Sequence, residues 1–298
     1  MANTNFIFVI GRNRSGTKWL SNLIAGNSEV AAVQREGAGG ILEIDLLSTF
    51  PKHYNLKNIE ERTAFEILFR YSNFHKCSGL PDSIINEIDY RNFYEFFTAY
   101  GTAIAESRKK SVFLQKGASK ILPVLVKRFP QAKFVIIQRR NVVENLVSNL
   151  VMHGEKVRLK RVFTLLLGYW RFRKLENTFI SRPNVMRITY ENLKGNTESV
   201  MKEVCNFLNL EYEKAMLNVP FKPNSSYKAE GERKVFIDKK TKMFVSIVSP
   251  IVSAVPLWLF NILLRLKVLA PERGGMFMPK SYELYRNEIK KNEAVNIG

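Results

Sequence analysis

The most constraining feature of this sequence is a short apolar run that leads directly into a glycine-bounded, basic loop. Phe6–Ile10 contains five apolar residues, and the loop Gly11–Lys18 follows with the sequence GRNRSGTK. Beyond the loop, apolar residues recur at the spacing of one helix face: Trp19, Leu20, Leu23 and Ile24. A buried strand, a glycine loop and a helix in this order form a cradle for an anionic group, because the loop N–H groups and the helix dipole point at one spot.

Three further apolar runs predict buried strands, and helical patterns lie between them. The runs are Ser111–Leu114, Phe134–Gln138 and Val185–Thr189. This alternation predicts an α/β, three-layer, P-loop-like fold, in which helices flank a central and mostly parallel sheet. Because the chain has no internal repeat and no long linker, we expect residues 1–298 to form a single domain.

Charge and cysteine content restrict the partners and the compartment. The chain carries 46 Lys and Arg against 27 Asp and Glu, a net charge of +19, which favours an anionic partner. Two cysteines, Cys77 and Cys205, are too few for a disulfide scaffold in 298 residues. The three histidines, His53, His75 and His153, are dispersed, which disfavours structural zinc. None of them lies in the sequence context of a catalytic histidine, so we expect them at the surface. We therefore expect a protein of the cytoplasm, where thiols stay reduced.

The run Phe134–Gln138 ends in two cations, which argues against a metal-dependent nucleotide site. In nucleoside triphosphatases, the hydroxyl after the loop lysine holds Mg²⁺ and a second strand ends in a metal-binding Asp. Here Thr17 precedes Lys18, and Arg139-Arg140 follows the strand. A helix predicted over Val142–Met152 then carries a polar stripe on one side: Asn141, Asn145 and Ser148. These features predict an anionic donor that binds without metal.

Taken together, these stretches resemble the sulfotransferases that use 3′-phosphoadenosine 5′-phosphosulfate (PAPS), in particular the bacterial and carbohydrate-type branches. Arg12–Leu20 is similar to the family's 5′-phosphosulfate loop, and Arg140–Ser148 is similar to its 3′-phosphate element, with Val142 in place of the usual Pro. Tyr190–Leu193, followed by Val204–Leu210, resembles the family's YEDL and FLGL segments. Pro279–Lys290 resembles its C-terminal helix.

The resemblance implies a set of donor-binding residues. Arg14 would contact the leaving oxygen and the sulfate, and Arg140 and Ser148 would bind the 3′-phosphate. Tyr190 would reach the adenine, although a structural role for this tyrosine stays equally open. The residues implied at the 5′-phosphate continue along the loop into the helix: Ser15, Gly16, Thr17, Lys18 and Trp19.

The resemblance also implies two residues near the transferred group. Asn27–Glu36 is similar to a turn of the glycan branch that ends in a Glu base, which gives Glu36 the role of base. Leu114–Lys120 aligns with the family's GEKTP segment, so Lys116 would approach the sulfate. Gly37–Gly40 departs from the aromatic residues usual at that place. A solvated loop carboxylate at Glu36 and a surface lysine at Lys116 remain the alternatives.

The function implied is transfer of a sulfuryl group from PAPS to an acceptor hydroxyl, on a carbohydrate or a glycolipid, with Glu36 as base and no metal. The acceptor is expected to be a small molecule or a glycan, also in lipid-linked form, and no nucleic-acid partner is expected. Two alternatives stay open: a P-loop-type nucleotide or small-molecule kinase, and a basic protein that binds nucleic acid or a membrane surface without catalysis.

A long uncharged stretch lies near the C-terminal end. Met243–Leu264 has no charged residue over 22 positions, and basic residues flank it within 239–267. Pro250 and Pro256 would interrupt a spanning helix. Three interpretations stay open: packing near the acceptor site, peripheral contact with an anionic membrane, and a transmembrane segment.

Overall fold

The computed structural model describes residues 4–35, 40–43, 45–48, 50–52, 54–152, 158–218 and 239–266. The predicted base Glu36 and the predicted C-terminal helix at Pro279–Lys290 lie outside the described residues, as do His53 and His153.

A five-stranded sheet forms the centre of the fold, and every pairing in it is parallel. Its strand order is β2-β5-β1-β6-β7. The sheet strands are β1 (Asn5–Gly11), β2 (Val30–Ala31), β5 (Val112–Ala118), β6 (Lys133–Gln138) and β7 (Val185–Thr189). A separate antiparallel hairpin pairs β3 (Gln34–Arg35) with β4 (Gly40–Ile41). Gly11 is in register with Ala118, and Gln138 with Thr189, so the carboxyl ends of the central strands meet at one edge.

Thirteen α-helices connect the described parts of this frame. They are α1 (Thr17–Ala25), α2 (Asp45–Ser48), α3 (Ile59–Arg70), α4 (Asn73–Lys76), α5 (Ile84–Glu87), α6 (Phe93–Ser107), α7 (Leu122–Arg128), α8 (Val142–Met152), α9 (Leu159–Asn177), α10 (Tyr190–Gly195), α11 (Thr197–Leu208), α12 (Lys239–Ala254) and α13 (Leu257–Arg265). Short 3-10 turns occupy Phe50–Lys52, Ser119–Ile121 and Lys214–Asn218.

The two faces of the sheet pack into separate apolar clusters because side chains alternate along a strand. Phe8 and Ile10 of β1 belong to a cluster that includes residues of α6 and α7. Ile7 and Val9 of the same strand belong to a second cluster, formed with residues of α1 and α11. Helices therefore cover both faces, which confirms the predicted α/β fold with a parallel central sheet.

A third cluster lies beside the sheet and contains the uncharged stretch of the sequence. Leu146 of α8 and Leu166 of α9 pack with Val245 of α12 and Phe260 of α13. Among the described helices, none alone is long and apolar enough to cross a membrane. Helices α12 and α13 reach the required length and composition only as a pair, and that pair is bent by 106°.

Three local predictions differ from the structure. Strand β5 extends to Ala118 rather than ending at Leu114, because it pairs with the whole of β1. Strand β2 and the β3–β4 hairpin were not predicted, since two-residue strands carry no periodic signal. The surface position predicted for His75 is wrong: its ring is buried, with Nδ1 2.5 Å from Tyr100 Oη and Nε2 2.8 Å from Asp82 Oδ1.

Candidate active site

The loop between β1 and α1 is too tightly packed for any residue but glycine at two places. Gly16 has φ 101°, and a Cβ there would lie 2.7 Å from Cδ2 of Tyr190. A Cβ at Gly11 would lie 2.6 Å from Ser15 Oγ and 2.7 Å from the carbonyl oxygen of Ile137. The loop backbone is therefore pressed between β6 and the start of α10, and the spacing of the two glycines follows from these contacts.

Helix α1 begins directly after this loop, and its own residues place no carboxylate at its N-terminus. Gly16 precedes the helix and has no side chain to cap it, and the first turn contains no acidic residue. The N–H of Leu20 donates to the Gly16 carbonyl at 3.1 Å, so the N–H groups before it lie outside the helical hydrogen bonds. Such a helix start favours an anion, which agrees with the predicted phosphate cradle at Ser15–Lys18.

Two sequence elements that were assigned to different phosphates meet here. Arg14, which has φ 69°, donates from Nε to Oγ of Ser148 on α8 at 2.9 Å. The two residues are 134 positions apart in the chain. The loop after β1 and the helix after β6 therefore face a common space at the carboxyl edge of the sheet.

Arg12 fixes the loop in place, although no local sequence signal distinguished it from the other loop residues. Its side chain is only 5% exposed. Nη2 donates to the carbonyl oxygen of Leu165 at 2.9 Å, and Nη1 donates to Oδ1 of Asn145. Asn145 in turn donates from Nδ2 to the carbonyl oxygen of Asn13 at 3.3 Å. Arg12 therefore ties the loop to both α8 and α9.

The backbone after β6 is held from two sides at Arg140. The Glu191 carboxylate accepts from the N–H of Arg140 at 3.0 Å and from the N–H of Asn141 at 3.0 Å. Tyr169 Oη contacts the carbonyl oxygens of Arg139, at 2.7 Å, and of Arg140, at 3.2 Å. Arg140 itself is exposed. These contacts position its backbone while the residue stays at the surface.

Glu191 has an electrostatic environment that favours its ionised form. Burial opposes ionisation, but the backbone N–H groups of Arg140 and Asn141 and the nearby Arg139 outweigh it and lower the pKa of Glu191. A carboxylate that accepts from the residues just before α8 also complements the positive end of that helix.

Tyr190 lies against the loop, and this position is compatible both with contact to an adenine and with a structural role. Its ring packs on Gly16 and lies edge-on to Trp19, with ring centres 6.2 Å apart. The guanidinium carbon of Arg139 is 4.7 Å from the centre of the Tyr190 ring. Burial raises the pKa of the Tyr190 phenol, so it stays protonated at neutral pH.

Lys116 lies within β5, not after a strand as its sequence context suggested. It is 8% exposed and is in register with Val9. Its Nζ is 3.4 Å from Oε1 of Glu43, a carboxylate that the sequence analysis did not single out. Lys116 is therefore not the surface lysine of the alternative interpretation.

The β3–β4 hairpin contacts the loop at Lys18. A Cβ on Gly40 would lie 2.1 Å from Cε of Lys18, so this side chain packs directly on the Gly40 backbone. Next to it, the N–H of Ile41 donates to Oδ1 of Asn22 on α1 at 3.3 Å. Strand β4 is thus fixed to the first helix beside the phosphate cradle.

A buried carboxylate lies behind the site, and the sequence analysis missed it. Glu176 of α9 is 2% exposed; its oxygens accept from Ser119 Oγ and, at 2.8 Å, from Nε2 of Gln138. Burial raises its pKa to about 7, although these two hydrogen bonds and the charges of Arg12 and Arg173 favour ionisation. The sequence signal that could have found Glu176 is its helical spacing. Glu176 lies on the same face of α9 as Leu165, Tyr169 and Arg173.

Within the ranges that the structure describes, no group of three or more His, Cys, Asp or Glu side chains converges as a set of metal ligands.

Comparison with known proteins identifies the family. A family model described as "Sulfotransferase family" matches residues 6–214, more than half of the chain. No curated protein matches the sequence.

Several solved structures are similar at low identity. The sulfotransferase domain from the curacin biosynthetic pathway is 16% identical, with a TM-score of 0.48 over 83% of this chain and 98% of that chain. A mouse sulfotransferase complexed with PAP is 13% identical, with a TM-score of 0.49 over 89% of each chain. A sulfotransferase from Alicyclobacillus acidocaldarius is 15% identical, with a TM-score of 0.45 over 88% of this chain and 100% of that chain.

The family match covers the phosphate cradle, the helix that carries Ser148, and the segment around Tyr190. On this match, the chain belongs to the sulfotransferase family.

Proposed function

We propose that this sulfotransferase transfers the sulfuryl group of PAPS to a hydroxyl of a carbohydrate or glycolipid acceptor, with Glu36 as the base. The observation that carries the proposal is the 2.9 Å contact between Arg14 Nε and Ser148 Oγ. It joins the loop assigned to the 5′-phosphosulfate to the helix assigned to the 3′-phosphate. A donor with phosphates at both positions would contact both the loop and the helix. ATP has no 3′-phosphate for the helix to bind.

The residues present fit such a donor. Loop N–H groups at Ser15–Lys18 and the start of α1 would hold the 5′-phosphate, while Arg140 and Ser148 would hold the 3′-phosphate. The exposed position of Arg140, on a backbone held by Glu191 and Tyr169, supports this role, because the charge is accessible and its attachment point is fixed. Tyr190 and Trp19 supply aromatic surface beside the loop for the adenine.

PAPS supplies the sulfuryl group. During transfer, the bond from sulfur to the 5′-phosphate oxygen breaks, a bond from sulfur to the acceptor oxygen forms, and the acceptor proton passes to the base. Arg14 and Lys116 would offset the charge that grows on the leaving oxygen and the sulfuryl oxygens. Their fixed positions also contribute, because a loose transition state needs alignment more than covalent assistance.

The assignment of Glu36 as base is supported by the described residues on either side of it. Arg35 is paired with Gly40 in the β3–β4 hairpin, and Gly40 packs on Lys18 of the cradle. Glu36 follows Arg35 directly in the sequence. The described part of the hairpin next to it is therefore in contact with the donor loop.

The broader assignments follow from the same reasoning. We infer a single sulfotransferase domain over residues 1–298, supported by the packing of α12 and α13 on α9. A cytoplasmic location is supported by Cys77 and Cys205, which are both free thiols. The glycan or glycolipid nature of the acceptor rests on the resemblance of Asn27–Glu36 to the glycan branch.

The donor assignment is tested by thermal unfolding with 3′-phosphoadenosine 5′-phosphate (PAP), AMP, or ATP with Mg²⁺. A ligand at about 100 times its Kd stabilises a protein by about 2.7 kcal/mol, so selective stabilisation by PAP is expected. Arg140→Ala should weaken PAP binding about tenfold or more, since it removes a charged phosphate contact. Arg187→Ala, at an exposed position on β7, is the matched control and should bind PAP normally.

Two other results would contradict the donor assignment. Stabilisation by ATP with Mg²⁺ in preference to PAP would support the kinase alternative. Salt-sensitive binding to unrelated duplex DNA, without any response to nucleotide, would support a non-catalytic basic protein.

The base is tested by comparing two carboxylates. Glu36→Gln should lower kcat about 100-fold or more with PAP affinity unchanged, because it removes a proton acceptor. Glu43→Gln removes only the ion pair with Lys116 and should affect kcat less. The assay is PAP formation from PAPS with a panel of simple sugars and glycosylated lipids. Full activity of Glu36→Gln together with an inactive Glu43→Gln would move the assignment to Glu43.

A further inference from the structure

The described surface carries an unusual concentration of exposed apolar side chains on its last two helices. Six large apolar residues of this segment are between 40% and 66% exposed, and we call them the apolar ridge: Met243, Ile247, Ile251, Trp258, Ile262 and Leu266. Elsewhere in the described chain such residues occur singly or in pairs, as at Ile59 and Tyr71. Isolated cases are ordinary, whereas a concentration of six such residues on one segment indicates a binding surface.

The ridge is the outer side of a firmly packed element. Val245 and Val252 of α12 are buried with α9, and Trp170 Nε1 donates to Ser249 Oγ at 2.9 Å. Met243, Ile247 and Ile251 follow one another at intervals of four residues, so they share one helix face. The inner face of α12 is in contact with α9, and within the described residues the opposite stripe is exposed.

Positive charge lies at one end of the ridge. Lys239, Lys240 and Lys242 are exposed in the first turn of α12, and Lys239 is on the same face as Met243, four residues away. The sequence contains no Asp or Glu from residue 239 to residue 271. Leu159 and Phe163 are also exposed near the start of α9, next to the exposed cations Arg158 and Lys160.

The positive charge of this segment distinguishes between the partners that could bind the apolar ridge. A second copy of this chain would bring another basic segment without acidic residues against the ridge, so neither copy's segment would offset the lysines of the other. An anionic lipid surface offers both components at once, because its headgroups attract lysine and its acyl region accepts apolar side chains. Trp258 also fits a boundary between polar and apolar layers.

We propose that the apolar ridge docks this sulfotransferase onto the surface of an anionic phospholipid bilayer. The ridge enters the headgroup layer, and the lysines at the start of α12 contact lipid phosphates. The 106° bend and the buried inner face of α12 support attachment to one leaflet rather than a span. The proposal depends only on this surface, not on the donor or the acceptor.

The test is flotation of the full-length protein with vesicles of phosphatidylcholine alone, or with about one-third phosphatidylserine, at low and high salt. The wild type should bind the phosphatidylserine vesicles about tenfold better, and high salt should reduce the difference. The double variant Ile251→Asp/Trp258→Asp should bind these vesicles about tenfold or more weakly. Ile59→Asp, at a 73% exposed position on α3, is the matched control and should bind as the wild type does.

A charge-reversal variant separates the electrostatic contribution to lipid binding from the apolar contribution. Lys239→Glu/Lys240→Glu should abolish the preference for phosphatidylserine, because each lysine near an anionic surface strengthens binding about fivefold. Thermal unfolding of each variant checks that it is folded, which is expected because the substituted side chains are exposed.

Three results would overturn the proposal. The first is a wild type that binds neither kind of vesicle. The second is a ridge variant that binds both as the wild type does, which would place lipid binding on another basic surface. The third is a wild-type dimer in analytical ultracentrifugation that Ile251→Asp dissociates, since this would make a second copy the occupant of the ridge.

Discussion

The two sides of α9 contact the rest of the molecule through different kinds of interaction. Its inner side meets the donor edge through polar groups: the Leu165 carbonyl accepts from Arg12, Tyr169 contacts the backbone before α8, and Glu176 holds Ser119 and Gln138. Its outer side meets α12 and α13 mainly through apolar packing, with one hydrogen bond between Trp170 and Ser249.

This difference between polar and apolar contacts indicates which part of the fold must hold its residues in fixed positions. Burying a polar group costs free energy unless it is hydrogen-bonded, so a chain of satisfied buried polar groups is retained where geometry matters. Apolar packing tolerates small shifts more easily and specifies position less strictly. The donor edge needs fixed loops, whereas the helix pair needs only to be attached with its ridge outward.

The largest expected effect comes from removing the central polar contact of the inner side. Arg12→Ala leaves the Asn145 amide oxygen and the Leu165 carbonyl oxygen without this donor in a buried position. We expect a loss of about 3 kcal/mol in the free energy of unfolding, together with weak PAP binding. Urea unfolding and calorimetric PAP titration measure the two effects. Arg14→Ala, on the same loop but half-buried, should impair PAP binding with a much smaller loss of stability.

The second effect is a pH dependence caused by Glu176. Its pKa of about 7 in the folded state lies above the unfolded value of 4.5, so the folded state binds more protons between these values. Its contribution to stability is therefore greatest below the unfolded pKa and is lost as pH rises through 7. Relative to Glu176→Gln, the wild type should lose roughly 2–3 kcal/mol between about pH 5 and pH 8. Parallel pH profiles of the wild type and Glu176→Gln would contradict this.

The stability contribution of Glu191, at the same edge of the sheet, changes with pH in the opposite direction to that of Glu176. Because its folded pKa is lowered, its contribution to stability is present above the unfolded pKa and is lost as pH falls through the folded value. Glu191→Gln should therefore reduce the loss of stability on acidification below about pH 4.5, without altering the profile near neutrality. Unfolding of both glutamate variants across the two pH ranges distinguishes these contributions.

A smaller effect is expected where a hydrogen bond positions the backbone. Tyr169→Phe removes the hydroxyl at the carbonyl oxygens of Arg139 and Arg140 but keeps the ring. We expect a loss of about 1–2 kcal/mol in stability and a few-fold weaker PAP binding, since the backbone of Arg140 becomes less fixed. Calorimetry with PAP measures the change. A variant that loses stability with unchanged PAP affinity would limit Tyr169 to a structural role.

The smallest effect is expected on the outer side of α9. Ser249→Ala removes only the acceptor for Trp170 Nε1, in a half-buried place. Stability should fall by about 0.5–1 kcal/mol, and PAP affinity should not change. A marked loss of PAP affinity in this variant would break the proposed separation between the two sides of α9.

Much of the frame was predictable because its signals are local. The boundaries of β7 and α8 agree with the predicted Val185–Thr189 and Val142–Met152. The contact between Arg14 and Ser148 is consistent with the rule that parallel strands end at one edge of the sheet, although no prediction paired these two residues. Lys116 and His75 were misplaced because the end of a strand and the burial of a side chain depend on neighbours that the local sequence does not specify.

The supporting groups behind the site were not predictable for the same reason. Arg12, Tyr169 and Glu176 act through partners 29 to 153 positions away, and their own neighbourhoods resemble an ordinary basic loop and an ordinary amphipathic helix. A glutamate within a helix is usually solvated. Only the packing of α9 against the ends of β5 and β6 excludes water from Glu176.

By itself, the sequence determined the alternation of strands and helices, the phosphate cradle after β1, and the positive charge at the edge where the strands end. These depend on periodicity, glycine positions and residue type, which act over a few residues. The tertiary structure decided which face of α9 holds the donor edge and which holds α12 and α13, because burial and hydrogen-bond partners arise only when distant segments pack together. It also decided that the uncharged stretch forms two helices with an exposed ridge, since composition describes how apolar a segment is but not which of its sides the rest of the molecule covers.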